Sequence, residues 1–216
     1  MPRMAQPGRN LVLYHHPFTR AAGVVWMLEE LGRPYELRYV DVATGEQRSD
    51  AFRALNPMGK VPVLDDAGTI VTESAAIGLY LADRYALGTL APRPDEPERG
   101  PYLRWSLFAP SVIEPGTMAH LEKWEYSAGR AGWGDFASML GTIQRAIAEG
   151  RPWLLGERFT MADVIFGGTL RFMLRFKMIE PRESFTAYTE RLSERPACRA
   201  ADAKNAAIAA ERGLGR

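Results

Sequence analysis

A proline stands where a buried strand should begin, in the run Gly59-Lys60-Val61-Pro62-Val63-Leu64. Proline has no N–H to give to a β-ladder, so it is confined to a strand's first residue, an edge or a bulge. Val61 is then able to turn its own N–H and C=O outward. A cis Val61-Pro62 bond, which costs only about 0.5 to 1 kcal/mol for an X-Pro pair, would sharpen that turn and hold the exposed pair rigid. A peptide docks on such a pair by strand addition. Beyond a short turn, Thr72-Glu73-Ser74 leads into a helical pattern from Ser74 to Tyr85. The free N–H groups and the dipole at that helix start favour a carboxylate. A small peptide carrying a free α-carboxylate fits both places.

Asn56-Pro57-Met58-Gly59 precedes this unit and Leu79-Tyr80-Leu81-Ala82-Asp83-Arg84-Tyr85 follows it. Together these residues resemble the glutathione site of the cytosolic, bacterial-type glutathione S-transferases, and the resemblance extends over most of the chain from about Asn10 onward. In that family a Val-Pro pair binds the cysteinyl backbone of glutathione and a Glu-Ser or Gln-Ser pair binds its γ-glutamyl end. The matching positions here are Val61, Pro62, Glu73 and Ser74, with Lys60 and Arg20 as further carboxylate contacts. Taken singly, Pro62 is an edge-strand proline and Ser74 an ordinary N-cap. In one hairpin-to-helix unit they favour a ligand site.

The resemblance implies attack of a glutathione thiolate on an apolar electrophile, the chemistry of detoxification, with glutathione as cosubstrate and without a metal. It also implies a cytoplasmic homodimer. Two alternatives stand beside it: a glutathione-dependent isomerase or peroxidase on the same scaffold, and a non-catalytic binding module of the transferase fold.

Composition narrows the partners. The 216 residues are 46% hydrophobic and 25% charged, as in an ordinary globular protein with a real core. A formal charge of +1 gives no electrostatic reason to expect nucleic acid or a membrane surface. No apolar run approaches the roughly 20 residues a membrane helix needs. Residues 1–9 read as a disordered lead-in, since no apolar stretch behind Arg3 and Arg9 makes a signal peptide. Cys198 is the only cysteine, which excludes internal disulfides and multi-cysteine metal sites.

The elements follow in order. Leu11-Val12-Leu13-Tyr14 is a strand pattern, and Thr19 to Leu31 has helical spacing with Val24, Val25, Leu28 and Leu31 inward. Gly32 stops that helix, with Pro34 just beyond. Tyr35 to Val40 reads as a strand and Ser49 to Leu55 as a helix ended by Asn56-Pro57. Val61 to Leu64 and Thr69 to Thr72 flank a hairpin turn at Asp65-Asp66-Ala67-Gly68. The order βαβαββα over residues 10–85 is α/β and thioredoxin-like. Prolines 92, 94 and 97 mark a linker over 86–96, and residues 97–216 read as an all-helical domain. Within it Thr160-Met161-Ala162-Asp163 is a capping box, a feature that also opens a central helix of the resembled family. The Ala-rich end from Ala200 to Ala210 reads as a loosely packed terminal helix.

A thiol with a pKa near 8.5 is only a few per cent thiolate at neutral pH. Lowering that pKa by two units requires about 2.7 kcal/mol. One hydrogen bond to the charged sulfur supplies about 1.5 to 3 kcal/mol, and a helix N-terminus about 0.3 to 1 kcal/mol more. The donor is expected in Tyr14-His15-His16-Pro17-Phe18-Thr19-Arg20-Ala21, which departs from the family's usual hydroxyl or cysteine pattern by placing Phe18, Arg20 and Ala21 there. Thr19 is the first candidate, at the helix start with hydroxyl and N–H facing the sulfur; its other reading is a plain N-cap. Tyr14 is the second, in the register of the tyrosine classes. Arg20 opposes the helix dipole and calls for an anion, either glutathione or an acid such as Glu29 or Glu30. His15 and His16 are polar contacts or solvated neighbours, and adjacent strand residues cannot form a zinc site alone. The loop holds no cysteine, which disfavours disulfide-exchange activity.

Trp105, Phe108, Met118, Trp124, Tyr126 and Trp133 crowd the start of the helical domain. The family builds its second-substrate pocket there, so Trp105, Phe108 and Trp124 are candidate pocket residues for a flat electrophile. Bundle core is the other reading for each. Pro110 is expected to end the helix that carries Trp105 and Phe108. Arg171, Arg175 and Lys177 interleave with Phe172 and Phe176 as a charged outer helix face.

Overall fold

A computed structural model describes residues 11–148 and 151–215 of the chain; the lead-in expected over residues 1–9 lies outside them. Strand β1 (Leu11–His15) runs parallel to β2 (Tyr35–Tyr39), with Leu13 opposite Leu37. On its other side it pairs antiparallel with β3 (Val63–Asp66), where Leu13 faces Leu64, and β3 pairs with β4 (Thr69–Thr72). The sheet order is β2-β1-β3-β4. Helix α1 (Ala21–Leu31) joins β1 to β2, the short α2 (Asp50–Arg53) lies between β2 and β3, and α3 (Ser74–Tyr85) follows β4. This is the thioredoxin-like βαβαββα order. Helices α4 (Arg99–Phe108), α5 (Glu114–Leu121), α6 (Phe136–Ala148), α7 (Met161–Arg175), α8 (Glu183–Ser193) and α9 (Pro196–Glu211) make up the rest.

The inward face of α1 is broader than its spacing predicts: Val24, Val25 and Leu28 are buried together with Ala21, Trp26 and Met27, while Leu31 is only half-buried. Gly32 ends the helix at φ +63, donating its N–H to the Glu29 carbonyl, as a left-handed cap does. Beneath α2, Phe52 packs with Val40 and Val63, joined by Tyr14, Leu55 and Val61.

Several boundaries shift for local reasons. Helix α1 begins at Ala21 and not Thr19, because the N–H and the hydroxyl of Thr19 both donate to the His16 carbonyl and close a turn over residues 16–19. Helix α2 is one turn long, capped by Ser49, whose Oγ accepts from Phe52 N at 3.3 Å. Strand β3 begins at Val63 and not Val61, past the proline that cannot donate. The hairpin turn tightens to Ala67-Gly68, both left-handed at φ 55 and 90, with Gly68 N donating to Asp65 Oδ1 at 2.7 Å.

The chain divides into two compact units, one of Met1–Ile77 with Ala200–Arg216 and one of Gly78–Arg199. In the second unit, Arg99 donates to both oxygens of Asp83 at 2.6 and 2.7 Å, fixing α4 on the end of α3. Pro110 does not end α4. The helix widens into a π-turn over Ala109–Ile113 and continues as α5, a geometry that spares a proline the i−4 carbonyl clash of a regular helix. The capping box forms as expected, and Asp163 does more than cap: Oδ1 accepts from Leu154 N and Tyr188 OH at 2.8 and 2.9 Å, and Oδ2 from Thr160 N at 3.0 Å. In the first unit the terminal helix is better packed than its alanines suggest, with Ala201, Asn205 and Ala209 buried at one-turn spacing.

Replacing Asp163 by alanine strands three buried donors, and Tyr188→Phe removes only one of them. Chemical denaturation is expected to show a loss of about 2 to 4 kcal/mol for Asp163→Ala and about 1 kcal/mol for Tyr188→Phe. Equal losses would contradict the carboxylate's role as a hub.

Candidate active site

The turn ahead of β3 is built by Asn56. Its Nδ2 donates to the Lys60 carbonyl at 2.8 Å, its Oδ1 accepts from Met58 N at 3.1 Å, and its own carbonyl accepts from Gly59 N at 2.8 Å. Gly59 sits at φ +60, and a Cβ there would stand 2.9 Å from the Gln47 carbonyl, so only glycine fits. The Val61-Pro62 peptide is cis. Among the described residues, no turn, loop or side-chain hydrogen bond engages the Val61 N–H or C=O. Gln47 brings a buried amide oxygen without a partner to the same region.

Glu73, exposed ahead of α3, adopts φ +65, and its carbonyl accepts the first helical bond from Ile77 N at 2.9 Å. A left-handed non-glycine residue costs about 1 to 2 kcal/mol, and such strain concentrates at ligand clamps. Ser74 is the first residue of α3. Lys60, Val61, Pro62, Glu73 and Ser74 therefore all lie in the first unit, around the start of β3 and of α3.

The donor candidates are placed differently from one another. Thr19 is not free at the helix start: its hydroxyl donates to His16 O at 2.9 Å and accepts from Ala21 N at 3.2 Å. Tyr14 turns its ring against Phe52, and its hydroxyl accepts from Arg38 Nη1 at 3.1 Å across the β1–β2 pair. Arg20 is the half-buried N-cap residue of α1. Glu29, one of the acids expected to answer it, pairs with Lys204 at 2.5 Å. His16 is buried and accepts from Phe18 N through Nδ1 at 3.2 Å, which leaves the ring proton on Nε2; burial lowers its pKa.

His15 is fully buried, its Nε2 2.6 Å from Asn205 Oδ1. Burial pushes its pKa down to about 4, against the bond to Asn205, and the neighbouring His16 charge adds to the lowering. Sequence patterns give no hint of this partner, which lies 190 residues along the chain.

In the second unit, Trp105, Phe108 and Phe166 form one aromatic group with ring centres 5.5 to 6.4 Å apart. Trp105 is buried, Phe108 only half-buried. Trp124 is 52% exposed in a non-helical stretch, outside that group. Tyr126 pairs with Trp133 instead. Among the described residues, no cluster of three or more His, Cys, Asp or Glu side chains is placed to hold a metal ion. No described helix is long and apolar enough to cross a membrane.

Profiles described as glutathione S-transferase N-terminal domain and C-terminal domain match residues 19–84 and 118–200. The glutathione S-transferase hmp2 of Hypomyces subiculosus is 38% identical over 165 residues, 70% of this chain and 77% of that protein. The chain belongs to the glutathione S-transferase family. Among solved glutathione transferases, one from Methylococcus capsulatus is 29% identical with a TM-score of 0.76, covering 92% of this chain and 100% of that one. A glutathione transferase homologue from Sulfitobacter, solved with bound glutathione, is 25% identical with a TM-score of 0.74 over 91% of this chain and 99% of its own. The thioredoxin-like and helical parts described above are those of a glutathione S-transferase, and this protein is an enzyme of that kind.

The buried neutral His15 of this transferase carries a pH signature. The unfolded chain takes up a proton near 6.5 and the folded one only near 4, so the stability His15 contributes is complete above about 6.5 and is lost as pH falls toward 4, by about 3 kcal/mol in all. Asp163, raised to about 6 by burial, acts in the opposite direction as it is protonated. The stability gap between wild type and His15→Phe isolates the imidazole. It is expected to shrink from pH 6.5 to 4, and a constant gap would contradict a neutral, buried His15.

Proposed function

We propose that this transferase holds glutathione on the first unit, with the cysteinyl backbone on the Val61 N–H and C=O beside Pro62, and the γ-glutamyl end on Glu73 and Ser74. Lys60 and Arg20 supply charge to its carboxylates. The observation that carries this reading is the unengaged main chain of Val61 next to a helix start whose preceding residue, Glu73, is held in a strained conformation. The bound glutathione of the Sulfitobacter homologue supports it.

The thiolate is stabilised at the start of α1, with Thr19 as donor. Its hydroxyl has a single proton, now given to a neutral carbonyl. Exchanging that acceptor for a thiolate replaces a neutral bond by a charge-assisted one roughly twice as strong. Tyr14 would first have to leave Arg38. The second substrate is an apolar electrophile, in keeping with the aromatic group of Trp105 and Phe108; Trp124 is the more exposed candidate contact. The enzyme works as a cytoplasmic homodimer of the family's two domains, residues 10–85 and 97–216 joined by 86–96.

Two measurements test this reading. Ser74→Ala is expected to weaken glutathione binding in calorimetry by roughly tenfold or more, the worth of a hydrogen bond to a charged group; unchanged affinity would remove Ser74 from the site. Spectroscopic titration of the bound thiol is expected to show a lowered pKa in wild type and Tyr14→Phe that is lost in Thr19→Ala. The reverse pattern would assign the donor to Tyr14.

A further inference from the structure

Asn205 of α9 reaches both sides of the loop that separates β1 from α1. Its Nδ2 donates to the Ala201 carbonyl at 2.9 Å and to the Ala22 carbonyl at 3.3 Å. With both amide protons directed at carbonyls, the atom left facing His15 is Oδ1, so His15 Nε2 carries the proton it donates across 2.6 Å. His15 Nδ1 is then the lone-pair nitrogen, buried with no partner. One amide thus grips the last residue of β1 and the first turn of α1.

Between those two anchors the loop carries bonds of its own: Thr19 N and Oγ1 to His16 O, Phe18 N to His16 Nδ1, and Ala21 N to Thr19 Oγ1. Such bonds fix the loop's internal shape. From outside the loop, Asn205 adds a bond to each end, and Val40 N donates to His15 O at 2.9 Å. A second contact of α9 leaves the loop alone: Lys204 Nζ meets Glu29 Oε1 at 2.5 Å and Tyr35 OH at 3.1 Å.

We propose that Asn205 and His15 are positioning residues for thiol activation, holding the β1–α1 corner open at the separation that presents Thr19 and the start of α1 to the sulfur. The C-terminal helix is thereby part of the activating machinery although it touches neither Val61 nor Ser74 in this role. The inference rests on the glutathione reading above and extends it to a contact made by the far end of the chain. Small displacements of a reacting group lower rates by an order of magnitude or more, which gives such a clamp its leverage.

The test uses the full-length protein as wild type, Asn205→Ala, His15→Leu, His15→Gln and Lys204→Ala, with glutathione as the probe. Asn205→Ala is expected to bind glutathione within about twofold of wild type, to raise the bound thiol pKa by about one unit, and so to lower kcat near neutral pH about tenfold at unchanged KM for glutathione. His15→Leu keeps apolar volume without the bond; it moves the thiol the same way and stands in where Asn205→Ala does not fold. His15→Gln, whose amide can donate to Asn205 Oδ1, restores the wild-type titration, and Lys204→Ala leaves it unchanged. Amide exchange over residues 18–22, measured without glutathione, is faster in Asn205→Ala and His15→Leu alone. An unchanged thiol pKa in both loss variants, or an equal shift in Lys204→Ala, would overturn the inference. Should wild type fail to bind glutathione, the functional reading falls, and exchange alone decides the clamp: unaltered rates in the loss variants overturn it, selectively faster ones support it.

Discussion

Pro62 has no N–H, so the ladder of β3 starts only at Val63 and the main chain of Val61 is left to bond with something other than the sheet. Much of the first unit is arranged around that consequence. Asn56 braces the turn that delivers Lys60, Gly59 lets it pass beneath the Gln47 carbonyl, and Phe52 supports Val61 from the core. An unengaged amide and carbonyl would be a defect in a finished sheet. Beside a helix start, with Glu73 held at positive φ, they are the donor and acceptor on which the proposed glutathione reading rests.

The same economy of polar groups holds where nothing binds. Asp163 in the second unit and His15 in the first are both buried, and each is accommodated by a different means. Asp163 gathers donors from Leu154, Thr160 and Tyr188, joining the start of α7 to α8 and to the loop before it. His15 stays neutral and gives one proton to Asn205, joining β1 to α9. Burial moves the two pKa values in opposite directions, the carboxyl up and the imidazole down, so acid acts on the two groups with opposite sign.

What was legible in the residues was local. Gly32 as a left-handed stop, Thr160 and Asp163 as a box, the cis Val61-Pro62 bond and the helix start at Ser74 each depend on chemistry within a few positions, and each is present. Helix α1 starts two residues after the spacing predicts, because Thr19 gives its donors to His16 before the helix begins. Pro110 is expected to stop a regular helix, which it kinks or breaks, and a π-turn accommodates it. The loose packing expected of the final alanines missed Asn205, whose partners His15 and Ala22 precede it by most of the chain's length. No periodicity encodes a pairing at that distance. Trp124 lies in the same early part of the helical region as Trp105, and the turn after α5 places it in an exposed stretch.

The claim that Val61 offers its main chain to the cysteinyl part of glutathione is tested most directly by a crystal structure of the protein soaked with the tripeptide. Density is expected along Val61, with the cysteinyl N–H and C=O paired to the Val61 C=O and N–H and the γ-glutamyl carboxylate at Ser74. Tripeptide density elsewhere on the molecule, with the Val61 main chain still unengaged, would contradict it.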